Sequence, residues 1–481
     1  MSLKREEIRI LCQTNPDAII ALIETYEARI SQLEARIAEL EARLNQNSNN
    51  SSKPPSSDVF VSKKSQRKKG SRPVGGQKGH AGRTLEMVEN PDKTISHKVT
   101  TCEGCGESLE AVPVIGSERR QVYDTQPITV VVTEHQAEHK QCPHCGYHNH
   151  GKFPDGVEHP VQYGQILKTL MVYFSVFQLI PYERICVLFS DVFGLSISKA
   201  TIARALKNCN NNLADYEKIV QQALIRAPIL HVDETGFRVT AKRQWLHVAS
   251  TGLLTWYGHH KTRGKGGTDE LQILPAFKGT MVHDCWGTYF QYDCHHALCN
   301  AHLIRELAGV SENFRQIWSD QMNELIHEIK KVVDSAKLQL PSINQEQIAD
   351  FEVRYASIIE QGKQENPVTE YIRPVGKRGR KKQSTPKNLL DRFERYQKEI
   401  LAFMYDFSIP FDNNQAERDI RMMKVQQKIS GTFRSEEGAD WFCRIRGYIS
   451  TVRKNGRPIL ASIKDAFEAK PFIPSGSQKS G

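Results

Sequence analysis

Three carboxylates and four thiols carry the chemistry open to this sequence of 481 residues. Asp233 closes a β-branched run within Pro228–Arg238 (PILHVDETGFR), and Asp284 closes a second one within Gly279–Tyr289 (GTMVHDCWGTY). A buried strand that delivers one acid to a sheet edge sets an oxygen ligand for a hard cation, and two such strands can share one. Phe411–Lys428 reads as a helix bearing a third acid, Glu417, followed by Arg421, Lys424 and Lys428 at spacings of four, three and four. Those spacings stack on one helical face, which puts cations beside the acid where a polyanion would lie. On the residues alone Glu417 and Arg421 also fit an i, i+4 surface pair, and Asp293, Glu306, Glu436 and Glu437 compete for the third place. Neighbouring strand side chains face opposite ways, so Asp233 rather than Glu234 is the expected ligand. Phosphodiester chemistry needs an activated water or hydroxyl and a stabilised leaving alkoxide, and two Mg²⁺ or Mn²⁺ ions about 4 Å apart supply both.

The thiols occur as Cys102-x-x-Cys105-Gly and Cys142-x-x-Cys145-Gly, separated by 36 residues that include the alternating text ITVVVTEH. Each pair wraps one edge of a tetrahedral ion and the trailing glycine allows the tight turn, so the four are expected to hold one structural Zn²⁺ in a ribbon. Redox-active CxxC is the alternative, and His144 and His148 are expected bystanders. The remaining cysteines are scattered, which argues for reduced thiols rather than a disulfide framework.

The elements that must position these groups follow in order. Apolar residues at 19, 23, 26, 30, 33, 37, 40 and 44 form a heptad seam flanked by Glu34, Arg36, Glu39, Glu41 and Arg43. That pattern predicts a coiled coil over 1–46, tethered by the polar NQNSNNSSKPPSSD rather than packed on the rest. A disordered basic linker is expected over 47–92, the zinc ribbon over 93–158 and a helical domain over 159–226. In that domain, Ile185–Phe193, the break at Gly194 and a Ser198 cap before Lys199–Leu206 resemble a helix-turn-helix, with Lys199, Arg204 and Lys207 as its available DNA contacts. Three strands opening at Asp233, a helix and further β and α units predict a ribonuclease-H-like α/β domain over 227–470. A helical insertion is expected at about 311–405 and a flexible tail over 471–481. The fold class is therefore multidomain α+β.

Charge locates a partner. The net charge is +10, yet Val59–Leu85 holds eight Lys/Arg and no acid, Arg373–Lys387 holds seven and no acid, and the remainder is slightly acidic. Lys63, Lys64, Arg67, Lys68, Lys69, Arg72, Lys78 and Arg83 are thus expected to meet phosphates without reading sequence. The charged N-terminus lacks an apolar signal core, and the longest apolar run, Leu170–Ile180, is too short to span a bilayer. A cytoplasmic, nucleoid-associated protein with no membrane partner is expected.

Together, the zipper-like start, GGQKGHAGRTL, the paired CxxCG knuckles, HVDETG, VHDCWGTYF, LCNAHLIREL and NNQAERDIRMMKVQQKISGTFRSEEGA resemble the insertion sequence 66 family of bacterial transposases over nearly the whole chain. The resemblance implies a DDE triad at Asp233, Asp284 and Glu417, a divalent cation, and cleavage and joining of DNA. It also implies element ends and target DNA as partners, with helper proteins of the element as candidate further partners, while the N-terminal seam predicts a homo-oligomer. Many DDE transposases carry Cys-x-x-His between the second and third acids, which Cys299 and His302 match. Two other readings stand beside it: a non-catalytic zinc-ribbon and helix-turn-helix regulator, and a nuclease of the same fold that hydrolyses without joining.

Overall fold

The computed structural model describes residues 14–51, 85–125, 128–367 and 383–474. The eight cations from Lys63 to Arg83 lie outside these residues, as does most of Arg373–Lys387. The described chain mixes helices with two sheets.

Helix α1 (Pro16–Leu44) starts where Asn15 accepts from the Ala18 amide and proline takes the first turn, where its missing N–H costs nothing. Its seam faces solvent: Ile23, Tyr26, Ile30, Leu33, Ile37 and Leu40 are each about half exposed. The expectation of a tether without packing is corrected at its C-terminal end. Ala42, Ser48, Asn50 and Ser51 are buried, and Asn50 donates to Glu312 at 2.9 Å. The Asn50 carbonyl lies 2.1 Å from where a β-carbon at Gly309 would sit, so only glycine admits this approach.

The ribbon has one short antiparallel pair, β1 (His139–Gln141) and β2 (His148–His150). ITVVVTEH, which alternates like a strand, has no strand partner among the described residues and leaves Val131 and Val132 more than four-fifths exposed. Alternation without a partner surface does not make a sheet.

Helices α2 (Gln165–Val172), α3 (Tyr182–Phe193), α4 (Lys199–Asn212) and α5 (Ala214–Ile225) follow. Gly194 ends α3 at φ 65°, and Ser198 caps α4 by accepting from the Thr201 amide. These helices share one apolar core with the larger sheet and the C-terminal helices, running from Met171 and Ile202 through Leu230 and Leu246 to Tyr448.

That sheet has five strands: β3 (Ile229–Val239), β4 (Lys242–Ser250), β5 (Thr255–His260), β6 (Thr280–His283) and β7 (His295–Leu298), in the order 5-4-3-6-7. The first three form an antiparallel meander, whereas β3–β6 and β6–β7 are parallel. The helix expected after the three strands covers only part of TDELQILPAF, which is split between α6 (Lys265–Glu270) and a turn at Leu274–Ala276, because Gln272 takes positive φ and Pro275 follows.

From β7 the chain enters α7 (Asn300–Phe314) and then the inserted helices α8 (Ile317–Ala336), α9 (Gln345–Glu365) and α10 (Thr385–Arg395). These close a second core around Trp318, Tyr355 and Phe393, sealed against Leu303 and Leu307 of α7. Helix α11 (Asn414–Ser430) then returns to the large sheet, and α12 (Glu436–Lys454) and α13 (Ile459–Phe467) finish the fold. Residues 471–474 depart from the expected tail: the Phe472 amide donates to the Tyr448 hydroxyl at 3.1 Å, and Arg457 lies over the Phe472 ring.

Candidate active site and zinc module

Two parallel strands and one helix bring the three expected acids into one neighbourhood. Ile229 is paired with Thr280 and His231 with Val282, so continuing the register by two residues sets Asp284 abreast of Asp233. Helix α11 is held over β3 by Asn413, a buried residue whose side chain donates to the Val232 carbonyl at 2.8 Å and meets His231 Nδ1 at 2.9 Å. The Asn413 amide donates to Cys299 Sγ at 3.1 Å. Glu417 sits one turn beyond this anchor.

Burial and mutual repulsion dominate the electrostatics. Burial, then Glu234, Asp284 and Glu417, push Asp233 well above the usual carboxylate range, against the Glu234 amide it accepts from at 2.8 Å. Burial and Glu234 raise Asp284 to about 7, opposed by the Trp286 amide and Arg263. Burial also raises Glu417, opposed by Arg305. Glu417 Oε1 is buried and takes no hydrogen bond among the described residues; His302 Nδ1 at 3.5 Å and Arg305 at 3.7 Å are its cationic or potentially cationic neighbours. Such under-compensated carboxylates are the donor set a hard divalent cation fits.

Cys299 and His302, assigned no role from sequence, adjoin the third acid. Cys299 Sγ and His302 Nδ1 are 3.3 Å apart, and with Glu417 they form the sole set, among the described residues, of three metal-capable side chains whose ligand atoms lie within 4.8 Å of one another. Burial drives the His302 imidazole down to about 4 and the Cys299 thiol up to about 12, so both are neutral at pH 7 without an ion.

The competing acids separate by their partners. Asp293 is exposed and paired with Lys278, and Glu436 is near Gln244 and Lys261. Glu306 lines the same cavity as Asp284 but is engaged by Arg392 of α10. Of the expected basic face, Arg421 and Lys428 are exposed, whereas Lys424 is turned to the sheet and donates to the Gly236 carbonyl at 3.0 Å. Lys199 is exposed and paired with Glu183, while Arg204 and Lys207 are exposed on α4.

Three residues near the acids went unassigned in the sequence reading. Glu234 takes partners of its own: Tyr289 and Arg263 both donate to it, and its side chain is only 2% exposed. Arg263 in turn lies over the rings of Trp245 and Trp286.

In the ribbon, each knuckle is a closed turn. Gly106 and Gly146 take φ of 80° and 74° and donate to the Cys102 and Cys142 carbonyls at 2.9 Å. Backbone amides at Cys105 and Gly104, and at Cys145 and His144, lower the Cys102 and Cys142 thiols and so favour the thiolate that binds metal. Each pair is therefore prearranged as half of a ligand set, although the four sulfurs do not converge within ligand distance of one another among the described residues. A ribbon with this little apolar core depends on metal to join its halves.

Three family models match parts of the chain. Residues 100–146, which contain all four thiols, match the zinc-finger binding domain of transposase IS66, in keeping with structural zinc. Residues 2–86 match a family of unknown function. No curated protein matches the sequence. No described helix is long and apolar enough to cross a membrane. Residues 161–441, more than half the chain and including all three acids, match the Transposase IS66 family, and the protein belongs to that family of DNA transposases.

Proposed function

We propose that the chain cuts element-end DNA and joins it to target DNA, with Asp233, Asp284 and Glu417 as ligands for Mg²⁺ or Mn²⁺. The observation that carries this reading is the shared burial of three like-charged carboxyls, two of them abreast on parallel strands and the third delivered by a helix pinned to the same strand. An apo protein tolerates such a cluster only by holding protons that a cation would replace. The strand order 5-4-3-6-7, an antiparallel meander continued by parallel strands, supports a ribonuclease-H-like catalytic domain.

When bound, the divalent ions would activate the attacking oxygen and stabilise the leaving alkoxide. The chain's own residues do the rest. Asn413 fixes the height of Glu417 above the sheet, and the Trp286 amide orients Asp284 at 3.3 Å. His302, neutral at pH 7, approaches Glu417 without cancelling its charge. Arg421 and Lys428 on α11, with the basic segment from Lys63 to Arg83, would carry the DNA backbone. The exposed seam of α1 supports pairing with a second copy, which would bring two element ends together.

Purified protein incubated with labelled element-end DNA, target plasmid and Mg²⁺ tests this reading. Nicks at the element end followed by joined products are expected. Cleavage without joining would make it a nuclease, and binding without cleavage at any divalent ion would leave a DNA-binding regulator.

A further inference from the structure

We propose that Arg263 is a phosphate-contacting residue of the cavity beside Asp284, held ready by Glu234 and Tyr289. This rests on the DNA-cutting reading and adds a substrate contact to it. The cavity has a volume of about 170 Å³ and is lined by Arg263, Asp284, Cys285, Trp286 and His302, among others. At ~30 Å³ per water molecule it has room for a few waters or one phosphate group.

The guanidinium is fixed on several sides. Its Nε donates to Glu234 Oε1 at 2.9 Å, one terminal nitrogen donates to the same oxygen, and Tyr289 donates to the other carboxylate oxygen. The ring centroids of Trp245 and Trp286 lie 5.0 and 4.5 Å from its central carbon. The remaining terminal nitrogen makes no hydrogen bond among the described residues. An ion pair serving only the core would bury both partners; here Glu234 is 2% exposed and Arg263 is 42% exposed.

Fixing a planar fork this firmly removes the ordering cost of meeting a phosphate, and the fork suits a phosphodiester's two non-bridging oxygens. The cation also stands beside a carboxylate cluster that would otherwise repel DNA, so it offsets that repulsion where the substrate must enter. Glu234 is a positioning residue in this scheme. It acts through Arg263, which gives the acid next to Asp233 in sequence a role of its own.

The test is a charge-deletion cycle. Wild-type, Arg263→Ala, Arg263→Lys, Glu234→Gln and Asp284→Asn proteins are titrated by gel shift against element-end duplexes. Each duplex carries one neutral methylphosphonate, scanned across the terminal phosphates, and cleavage of unmodified DNA is timed in Mg²⁺. At one position near the nick, the methylphosphonate is expected to weaken wild-type binding about tenfold but Arg263→Ala binding by less than about twofold, with Glu234→Gln in between. Cleavage by Arg263→Ala should fall on the order of 10²-fold, with little rescue by lysine, while its melting temperature stays near wild type. Equal penalties at every position in wild type and Arg263→Ala would overturn the inference. If that happens while Asp284→Asn is inactive, only the arginine assignment fails. If Asp284→Asn still cuts, the metal-site reading fails and the arginine assignment falls with it.

Discussion

The side-chain amide of Asn413 donates to the carbonyl of Val232 at 2.8 Å, and this contact ties the start of the helix bearing Glu417 to the strand bearing Asp233. The same side chain meets His231 Nδ1 at 2.9 Å, so both ends of the amide are used in a buried site. Asn413→Ala strands two buried partners and should cost about 1–3 kcal/mol. Calorimetry should show a lower melting temperature, and the stabilisation by Mg²⁺ should shrink because Glu417 loses its register. A variant with unchanged melting and an undiminished Mg²⁺ effect would remove Asn413 from this role.

The metal site should make stability depend on pH in a specific direction. Asp284 titrates at about 7 in the folded chain against an ordinary 3.8, and Asp233 and Glu417 are raised as well. Between those values the folded state holds a proton that the unfolded state has lost, so the apo protein loses stability as pH rises through the window, by about 1.4 kcal/mol per pH unit for Asp284 alone. Asp284→Asn should flatten this part of the profile. Since protons and cations compete for the same oxygens, the melting shift produced by Mg²⁺ should be larger at pH 8 than at pH 5. Equal shifts at the two pH values would argue against carboxylate ligation.

Much of this arrangement was legible in the sequence, because its signals are local. A β-branched run that meets one acid marks Asp233 and Asp284, and a glycine after CxxC marks each knuckle; Asp284 follows the end of β6 as expected, but β3 continues to Val239, so Asp233 lies within its strand rather than at its end. The contacts that set the site are not local. Asn413 bonds to residues 181 and 182 positions away, and nothing near it signals either partner. Gly309 reads as an indifferent helical glycine until the Asn50 carbonyl is seen against it. Periodicity puts Lys424 on a face with Arg421 and Lys428, but it carries no information about the Gly236 carbonyl that takes its ammonium.

The zinc module should behave as a unit. Purified protein is expected to contain one zinc per chain, and Cys102→Ser or Cys142→Ser should lose it, because a three-thiolate remainder binds far more weakly. The loss should unfold the ribbon and leave the melting of the main core nearly unchanged. Metal analysis showing full zinc content in both variants would separate the knuckles from the metal.

The solvent-facing seam of α1 should drive self-association. Aspartates at Ile30 and Ile37 would place unpaired charges in a paired seam, a cost of ~3–5 kcal/mol for a charge left without a partner. Light scattering should show wild-type protein as the larger species and the double variant as a smaller one. The same mass for both would leave the helix as a surface feature of the single chain.

The most direct measurement is cleavage and joining of element-end DNA by Glu417→Gln, beside a gel-shift titration at fixed salt. Glutamine keeps the size and helix propensity of the side chain and removes the charge that a divalent ion needs. Binding should stay within about threefold of wild type, since the basic segments and Arg421 and Lys428 carry the phosphate contacts. Cleavage and joining should be lost, as in Asp233→Asn and Asp284→Asn, because ligands of one site fail together. A Glu417→Gln protein that cuts at a near wild-type rate would contradict the three-acid site and move the third ligand to Glu306, which already lines the cavity beside Asp284.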